Sequence, residues 1–318
     1  MTISILLLLL GLVILLVGGE SLVRGASSIA LNFKIKPIVI GLTVVAFGTS
    51  APELVVNVIS AINGTSDLAF GNVIGSNISN ILLILGVSAA ISPLAVQHNT
   101  TWKEIPFAIL AILAVYFMSN DTLFDGVPSN ILSRTDGIIL LFLFMIFLFY
   151  TYELTKEIYV SEVDEATQYN TFISVILIAI GILGLYFGGE MIVDNAVILA
   201  QMFGMSERII GLTIVAIGTS LPELATSVIA AYKNKADIAI GNVVGSNIFN
   251  TLWVLGITTT IKPMPISSAI NSDVIFNIII TILLFLGIIT FKNTIPRWNG
   301  VIFLIIYAIY LMFVVFNF

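Results

Sequence analysis

The sequence predicts an all-α polytopic membrane protein: ten transmembrane helices in two inverted five-helix repeats, with helices two and seven broken. Three observations carry this. Of the 318 residues, 58% are hydrophobic and 9% charged, against about 25% charged in a soluble domain, so polar groups are too few to cover a surface in water. A helical span needs roughly 20 mostly apolar residues, and ten stretches, with soft edges, read as spans: 3–23, 37–62, 68–91, 104–119, 134–152, 171–193, 208–232, 237–261, 273–291 and 298–317. Segments of the chain also recur at one fixed offset, the one that carries Gly41 onto Gly211 and Gly71 onto Gly241. The runs are continuously apolar and lack the period-two alternation of a barrel strand.

Span one lies within the opening MTISILLLLLGLVILLVGGESLV, which has no basic n-region and reads as a retained helix, not a cleaved signal peptide. Span two carries GLTVVAFGTSAPEL from Gly41, and span seven carries GLTIVAIGTSLPEL from Gly211, identical at 11 of 14 positions. Span three carries GNVIGSNISN at 71–80, and span eight GNVVGSNIFN at 241–250, identical at 8 of 10. GGE at 18–20 in span one returns at 188–190 in span six. Spans four, five, nine and ten are apolar without a repeated polar motif. The domains are therefore a first five-span repeat, 1–153, an acidic linker, 154–170, and a second repeat, 171–318. The linker reads as a solvated loop too short for a regulatory domain.

Five spans per repeat is an odd number, so the second copy must enter the membrane upside down relative to the first, as in many secondary transporters. Orientation follows the bias of Lys and Arg toward the cytoplasm. Odd-numbered connections hold nine such residues and even-numbered ones three, which puts the odd connections and the linker in the cytoplasm and both termini outside the cell membrane.

Each GTSxPE segment sets a glutamate, Glu53 or Glu223, within an apolar run. Ionisable groups inside membranes are costly and mark functional sites. Pro52 and Pro222 lack an amide hydrogen and are expected to break spans two and seven near Thr49 and Thr219. A break frees carbonyls that must be satisfied or line a cavity. Such carbonyls, the hydroxyls of Thr49, Ser50, Thr219 and Ser220, and the two carboxylates are hard oxygen donors, suited to Ca²⁺, Na⁺ or Mg²⁺. The helical register places Thr49 and Ser50 on the Glu53 face. Asn80 and Asn250, each four residues after Ser76 or Ser246, add amide and hydroxyl oxygens. For these four residues, hydrogen bonding between or within helices competes with ion binding. Asn72, Asn77, Asn242 and Asn247 read as structural, Glu20 and Glu190 as interfacial or gating residues, and His98 as a solvated loop residue.

One Ca²⁺ would neutralise the two carboxylates. A site left empty and fully ionised in low dielectric would be strongly unfavourable. It should therefore cross the membrane only when filled, which is the physical basis of exchange as opposed to leak.

Paired GTSxPE and GNxxGSN segments in two inverted halves resemble the Ca²⁺/cation antiporter family over essentially the whole chain. The likeness is to its compact prokaryotic sodium/calcium exchangers. The resemblance implies that spans two, three, seven and eight form a core across which spans one and six slide. It implies that Glu53 and Glu223 ligate Ca²⁺ together with backbone oxygens of Thr49 and Thr219. Flanking Na⁺ sites would use Ser50, Ser220, Ser76, Ser246 and the carbonyls of Ala46 and Ala216, with Asn80 and Asn250 lining the middle. Some relatives, potassium-dependent exchangers included, carry Asp where this chain has Asn250, which argues against K⁺ co-transport. Exchange of three Na⁺ for one Ca²⁺, as the resemblance suggests, would move one net charge per cycle, worth about 2.3 kcal/mol per 100 mV.

The expected function is thus antiport of Ca²⁺ against Na⁺ by alternating access. An H⁺/Ca²⁺ antiporter is the close alternative, and a cation channel a remote one, since channels favour symmetric oligomers. An enzyme is not expected: an intramembrane zinc protease would need HExxH, and the chain has one His. No resident cofactor is expected, the Ca²⁺ and Na⁺ ions being substrates. The expected partners are the lipid bilayer and these ions. Nucleic acid is excluded by the lack of a basic patch, and no obligatory protein partner is evident.

Overall fold

A computed structural model describes residues 2–156, 169–203, 216–267 and 270–316. Among them, nine helices are long and apolar enough to cross a membrane. These are α1 (Thr2–Asn32), α2 (Pro37–Ile62), α3 (Ser66–Ile91), α4 (Thr100–Met118), α5 (Arg134–Thr155), α6 (Thr171–Met202), α8 (Ala236–Ile261), α9 (Asn271–Thr290) and α10 (Arg297–Val314). Between α6 and α8 lies α7 (Leu221–Tyr232), preceded by a helical turn, Ala216–Thr219. The N-terminal part of expected span seven, and with it Arg208, lies outside the described residues, as does most of the acidic linker.

Several ends differ from the sequence expectation. Spans one and six were expected to stop at 23 and 193, yet α1 and α6 continue to Asn32 and Met202. At 1.5 Å per residue each is about 46–48 Å long, longer than the roughly 30 Å hydrocarbon core. The extra turns of α1 are built on small and polar residues such as Gly25, Ala26 and Ser28, which are buried by helix contact. A hydropathy window cannot see that contact. The linker end is tied back here: Tyr169 N–H donates to Ser28 Oγ at 2.9 Å, and Asn32 Nδ2 donates to the Tyr169 carbonyl at 2.9 Å.

The core separates from the periphery by burial. Of its most apolar stretch, α8 buries 94%, α3 72% and α2 61%, while each of the other six long helices buries 33% or less. The innermost helices approach through small residues, as membrane helices do. A β-carbon on Gly41 would lie 3.1 Å from the Gly241 Cα, and one on Gly245 would lie 2.9 Å from the Leu42 Cα.

Outside this core, α1 and α6 run antiparallel along their length on a glycine seam. A β-carbon on Gly18 would lie 2.7 Å from the Leu185 nitrogen, and one on Gly188 would lie 2.6 Å from the Leu15 nitrogen. The pair is joined to the core by an ion pair of Glu20 with Arg24 on α1 and Lys233 after α7.

Four two-residue strands cross-link the two halves: β1 (Leu94–Ala95), β2 (Ile131–Leu132), β3 (Met264–Pro265) and β4 (Thr294–Ile295). Both pairs are antiparallel, β1 with β4 (Leu94 opposite Ile295) and β2 with β3 (Leu132 opposite Met264). The connection after α3 is therefore stitched to the one before α10, and the connection after α8 to the one before α5.

Gly18→Ala should destabilise the protein by about 1–3 kcal/mol, the usual range for overpacking, because its contact is backbone that cannot step aside. Gly287→Ala, whose β-carbon would meet nothing closer than 3.9 Å, should leave thermal unfolding in detergent unchanged. Equal midpoints for the two variants would contradict the seam.

Candidate functional site

The expected break of span two at Pro52 is not what the chain does. An α-helical segment, Ala46–Ile62, runs through Pro52 without interruption. Proline removes one hydrogen bond, the one Gly48 would have accepted, and the helix tolerates that loss. The irregularity lies one turn earlier, as a π-helical segment at Gly41–Val45 where the Ala46 N–H reaches back to the Gly41 carbonyl. The second copy does break: Ser220, at φ −90° and ψ 4°, separates Ala216–Thr219 from Leu221–Tyr232. Helices α3 and α8 each carry a π-helical segment too, Asn80–Ile84 and Phe249–Val254, so Asn80 and Asn250 both sit where the helix is widened. Such π-turns frequently mark functional sites.

These elements bring the two glutamates together at the centre of the molecule. Glu53 is 0% exposed and Glu223 1%, and their carboxylates are near enough to act on one another electrostatically. Ser50 Oγ, from the first half, donates to Glu223 Oε1 at 3.2 Å. Thr49 Oγ1 lies 3.4 Å from Ser246 Oγ and donates to Asn242 Oδ1 at 3.1 Å. Asn242 Nδ2 then donates to Ser227 Oγ at 2.9 Å and, more weakly, to the Glu223 carbonyl at 3.4 Å.

The Thr49–Asn242 contact has a counterpart with the halves exchanged: Thr219 Oγ1 donates to Asn72 Oδ1 at 3.4 Å. Thr49 and Thr219, like Asn72 and Asn242, hold equivalent places in the two copies of the repeat. Asn72 and Asn242, expected to be structural, thus serve the motif threonines directly.

Buried polar groups are nearly always hydrogen-bonded, and most of the expected ligand residues depart from that rule. Both Glu53 oxygens, Glu223 Oε2, Ser76 Oγ, Ser220 Oγ, Asn80 Oδ1 and both polar atoms of Asn250 are buried without a protein partner. All of these atoms except the Asn250 amide nitrogen are oxygens. The set offers two charges and several neutral hard donors, which fits a hard cation and fits soft metals poorly. No group of three His, Cys, Asp or Glu occurs among the described residues, so carboxylate charge alone does not build the site.

Of the remaining expected site residues, Ala46 opens its α-helical segment and its carbonyl accepts a long 3.4 Å bond from Thr49 Oγ1. Ala216 opens the turn before the Ser220 break. Phe47, Phe144, Phe249 and Trp253 pack beside α2 and α8 with ring centroids 4.8–6.5 Å apart.

Glu20 and Glu190 stand apart from the cluster and have diverged. Glu20 is ion-paired, while Glu190 is exposed on α6. His98 is exposed, as expected. A third buried carboxylate, Glu104 on α4, accepts from the Tyr150 hydroxyl. Its equivalent position in the second copy holds Val274, so the repeat could not reveal it.

Known proteins resemble this chain in sequence and fold. The family described as sodium/calcium exchanger protein matches residues 3–153 and 173–316. The putative antiporter CaxA of Alkalimonas amylolytica is 41% identical over 278 residues, covering 85% of this chain and 84% of that protein. The sodium/calcium exchanger MaX1 of Methanosarcina acetivorans is 28% identical over 98% of both chains. Among solved structures, the sodium-calcium exchanger NCX_Mj superposes with a TM-score of 0.83 at 35% identity, covering 97% of this chain and 98% of its own.

A cation held by the folded protein alone stabilises it by about 2.7 kcal/mol at 100 times its dissociation constant. Ca²⁺ should therefore raise the unfolding midpoint of the wild type and leave that of Glu53→Gln/Glu223→Gln in place. An equal rise in both would contradict the assignment of the cluster as a cation site.

Proposed function

Since the chain belongs to the sodium/calcium exchanger protein family and is a multi-pass membrane cation antiporter, we propose that it exchanges Ca²⁺ for Na⁺ across the cell membrane by alternating access. The observation that carries this reading is the cluster of partnerless buried oxygens around Glu53 and Glu223. Ca²⁺ would sit between the two carboxylates. Backbone oxygens of Thr49 and Thr219 would complete that site, with Asn80 and Asn250 lining the middle, and Na⁺ would use the hydroxyls of Ser50, Ser76, Ser220 and Ser246 and the carbonyls of Ala46 and Ala216. Proton coupling alone has no need of so many neutral oxygens, which is why Na⁺ is favoured over H⁺ as the counter-ion. The protein acts as a transporter and not an enzyme, with the ions as substrates and no resident cofactor.

The same reading takes α7 as the tenth span and the two halves as inverted repeats joined by a cytoplasmic linker. The strand pairings support the count by parity. Partnered strands must lie on one side of the membrane. From β1 to β4 the chain passes α4 to α9, and from β2 to β3 it passes α5 to α8. Both numbers of crossings are even only if α7 also crosses. The Lys and Arg bias then puts β1 and β4 at the cytoplasmic face and both termini outside.

The test is ⁴⁵Ca²⁺ uptake by reconstituted vesicles loaded with Na⁺. Uptake should require the outward Na⁺ gradient, be lost in Glu53→Gln and in Glu223→Gln, and be indifferent to added K⁺, since Asn250 supplies no third charge. Uptake that ignores Na⁺ and follows a pH gradient would move the protein to H⁺/Ca²⁺ exchange.

A further inference from the structure

Asn80 and Asn250 are equivalent in the repeat, yet their surroundings are not. Asn80 Nδ2 donates to Asn247 Oδ1 at 2.9 Å, and Asn247 Nδ2 donates to the Asn77 carbonyl at 3.4 Å. A backbone carbonyl can only accept, so it fixes which end of the Asn247 amide faces Asn80. That in turn makes Asn80 donate through its nitrogen and leaves its Oδ1 for the cation cluster, where it has no protein partner. The exchanged counterpart of the first bond would run from Asn250 Nδ2 to Asn77 Oδ1. It is absent, and both of its ends are buried without a partner.

The reason lies one residue beyond Asn250. Asn77 Nδ2 instead donates to Thr251 Oγ1 at 2.8 Å. The counterpart of Thr251 is Ile81, which has no side-chain acceptor. Asn77, Asn250 and Thr251 are all 2% exposed or less.

We propose that Thr251 is a positioning residue that sets how tightly the site holds Ca²⁺, by engaging the Asn77 amide and so leaving Asn250 unpinned. Asn80 is then a fixed oxygen donor, and Asn250 an adjustable one whose amide can present oxygen to a cation or withdraw it. Two such unlike donors suit a pocket that must hold a divalent ion on one leg of the cycle and release it on the other. A donor pinned in its bound geometry tightens binding by removing its ordering cost, at the expense of release. The inference rests on the reading that Glu53 and Glu223 bind Ca²⁺, and it holds whichever ion returns.

Thr251→Val keeps the shape of the side chain and removes the acceptor. Asn77 can then pin Asn250, and the KM for Ca²⁺ and the maximal uptake rate should both fall several-fold. Thr251→Ser, which keeps the hydroxyl, should behave as the wild type. Adding Asn77→Ala to Thr251→Val should return KM toward the wild-type value, because the pin itself is gone. The proposal is overturned if Thr251→Val leaves both constants unchanged, if Thr251→Ser matches Thr251→Val, or if the double variant does not revert.

Should the Val variant fail to fold, Asn247→Ala probes the same asymmetry from the other side. It frees Asn80 and should raise KM for Ca²⁺ several-fold with the maximal rate retained; an unchanged KM would overturn the proposal. Wild-type uptake that ignores a Na⁺ gradient would count against Na⁺ coupling alone, and equilibrium ⁴⁵Ca²⁺ binding to the purified variants still reads the Thr251 effect.

Discussion

Two buried carboxylates, one from each half of the chain, are close enough to act on one another. Like charges in low dielectric repel strongly, so Glu53 and Glu223 are tolerable together only when metal cations or protons neutralise them. Much of the surrounding architecture can be understood as meeting that condition. The helices around the pair are widened or broken at the motif, which turns oxygen donors inward. The hydroxyls of one half reach the carboxylate of the other, as Ser50 does to Glu223, so the site exists only when the two halves are closed on each other.

Close approach of the inner helices is the second requirement, and small residues supply it. Gly41, Gly241 and Gly245 let α2 and α8 meet backbone to backbone, which allows Thr49 to hydrogen-bond Asn242 across the interface. The outer pair, α1 and α6, has its own glycine seam and shares a single described ion-paired cluster with the core at Glu20. A pair packed tightly to itself and more loosely to the core can move as a body, which is the kind of motion alternating access requires.

Much of this was legible in the sequence, because duplication amplifies it. A single Glu in an apolar run is one observation, whereas Glu53 and Glu223 with matched neighbours form a pattern, and the matched Asn and Ser residues ride on it. What the repeat does not encode is where the copies diverge. The same proline is absorbed by a continuous helix in one half and accompanied by a break at Ser220 in the other, since one lost hydrogen bond sits near the balance between the two outcomes. The end of α1 escaped hydropathy because contact through small residues such as Gly25, and not apolarity, extends it. Asn242 and Thr251 act through partners in the other half of the chain, Thr49 and Asn77, which no local pattern announces. Thr251 did leave a trace, in that it is polar where its repeat partner Ile81 is not.

The central claim is that the carboxylate pair cannot cross the membrane without a cation. It is tested most directly by loading vesicles with ⁴⁵Ca²⁺ and diluting them into buffered medium held at equal pH on both sides and free of Na⁺ and Ca²⁺. The account predicts retention of the label until Na⁺ or unlabelled Ca²⁺ is added outside, followed by prompt release. Steady efflux into the cation-free medium without matching proton uptake would contradict it, because an empty, charged site would then be returning unaided.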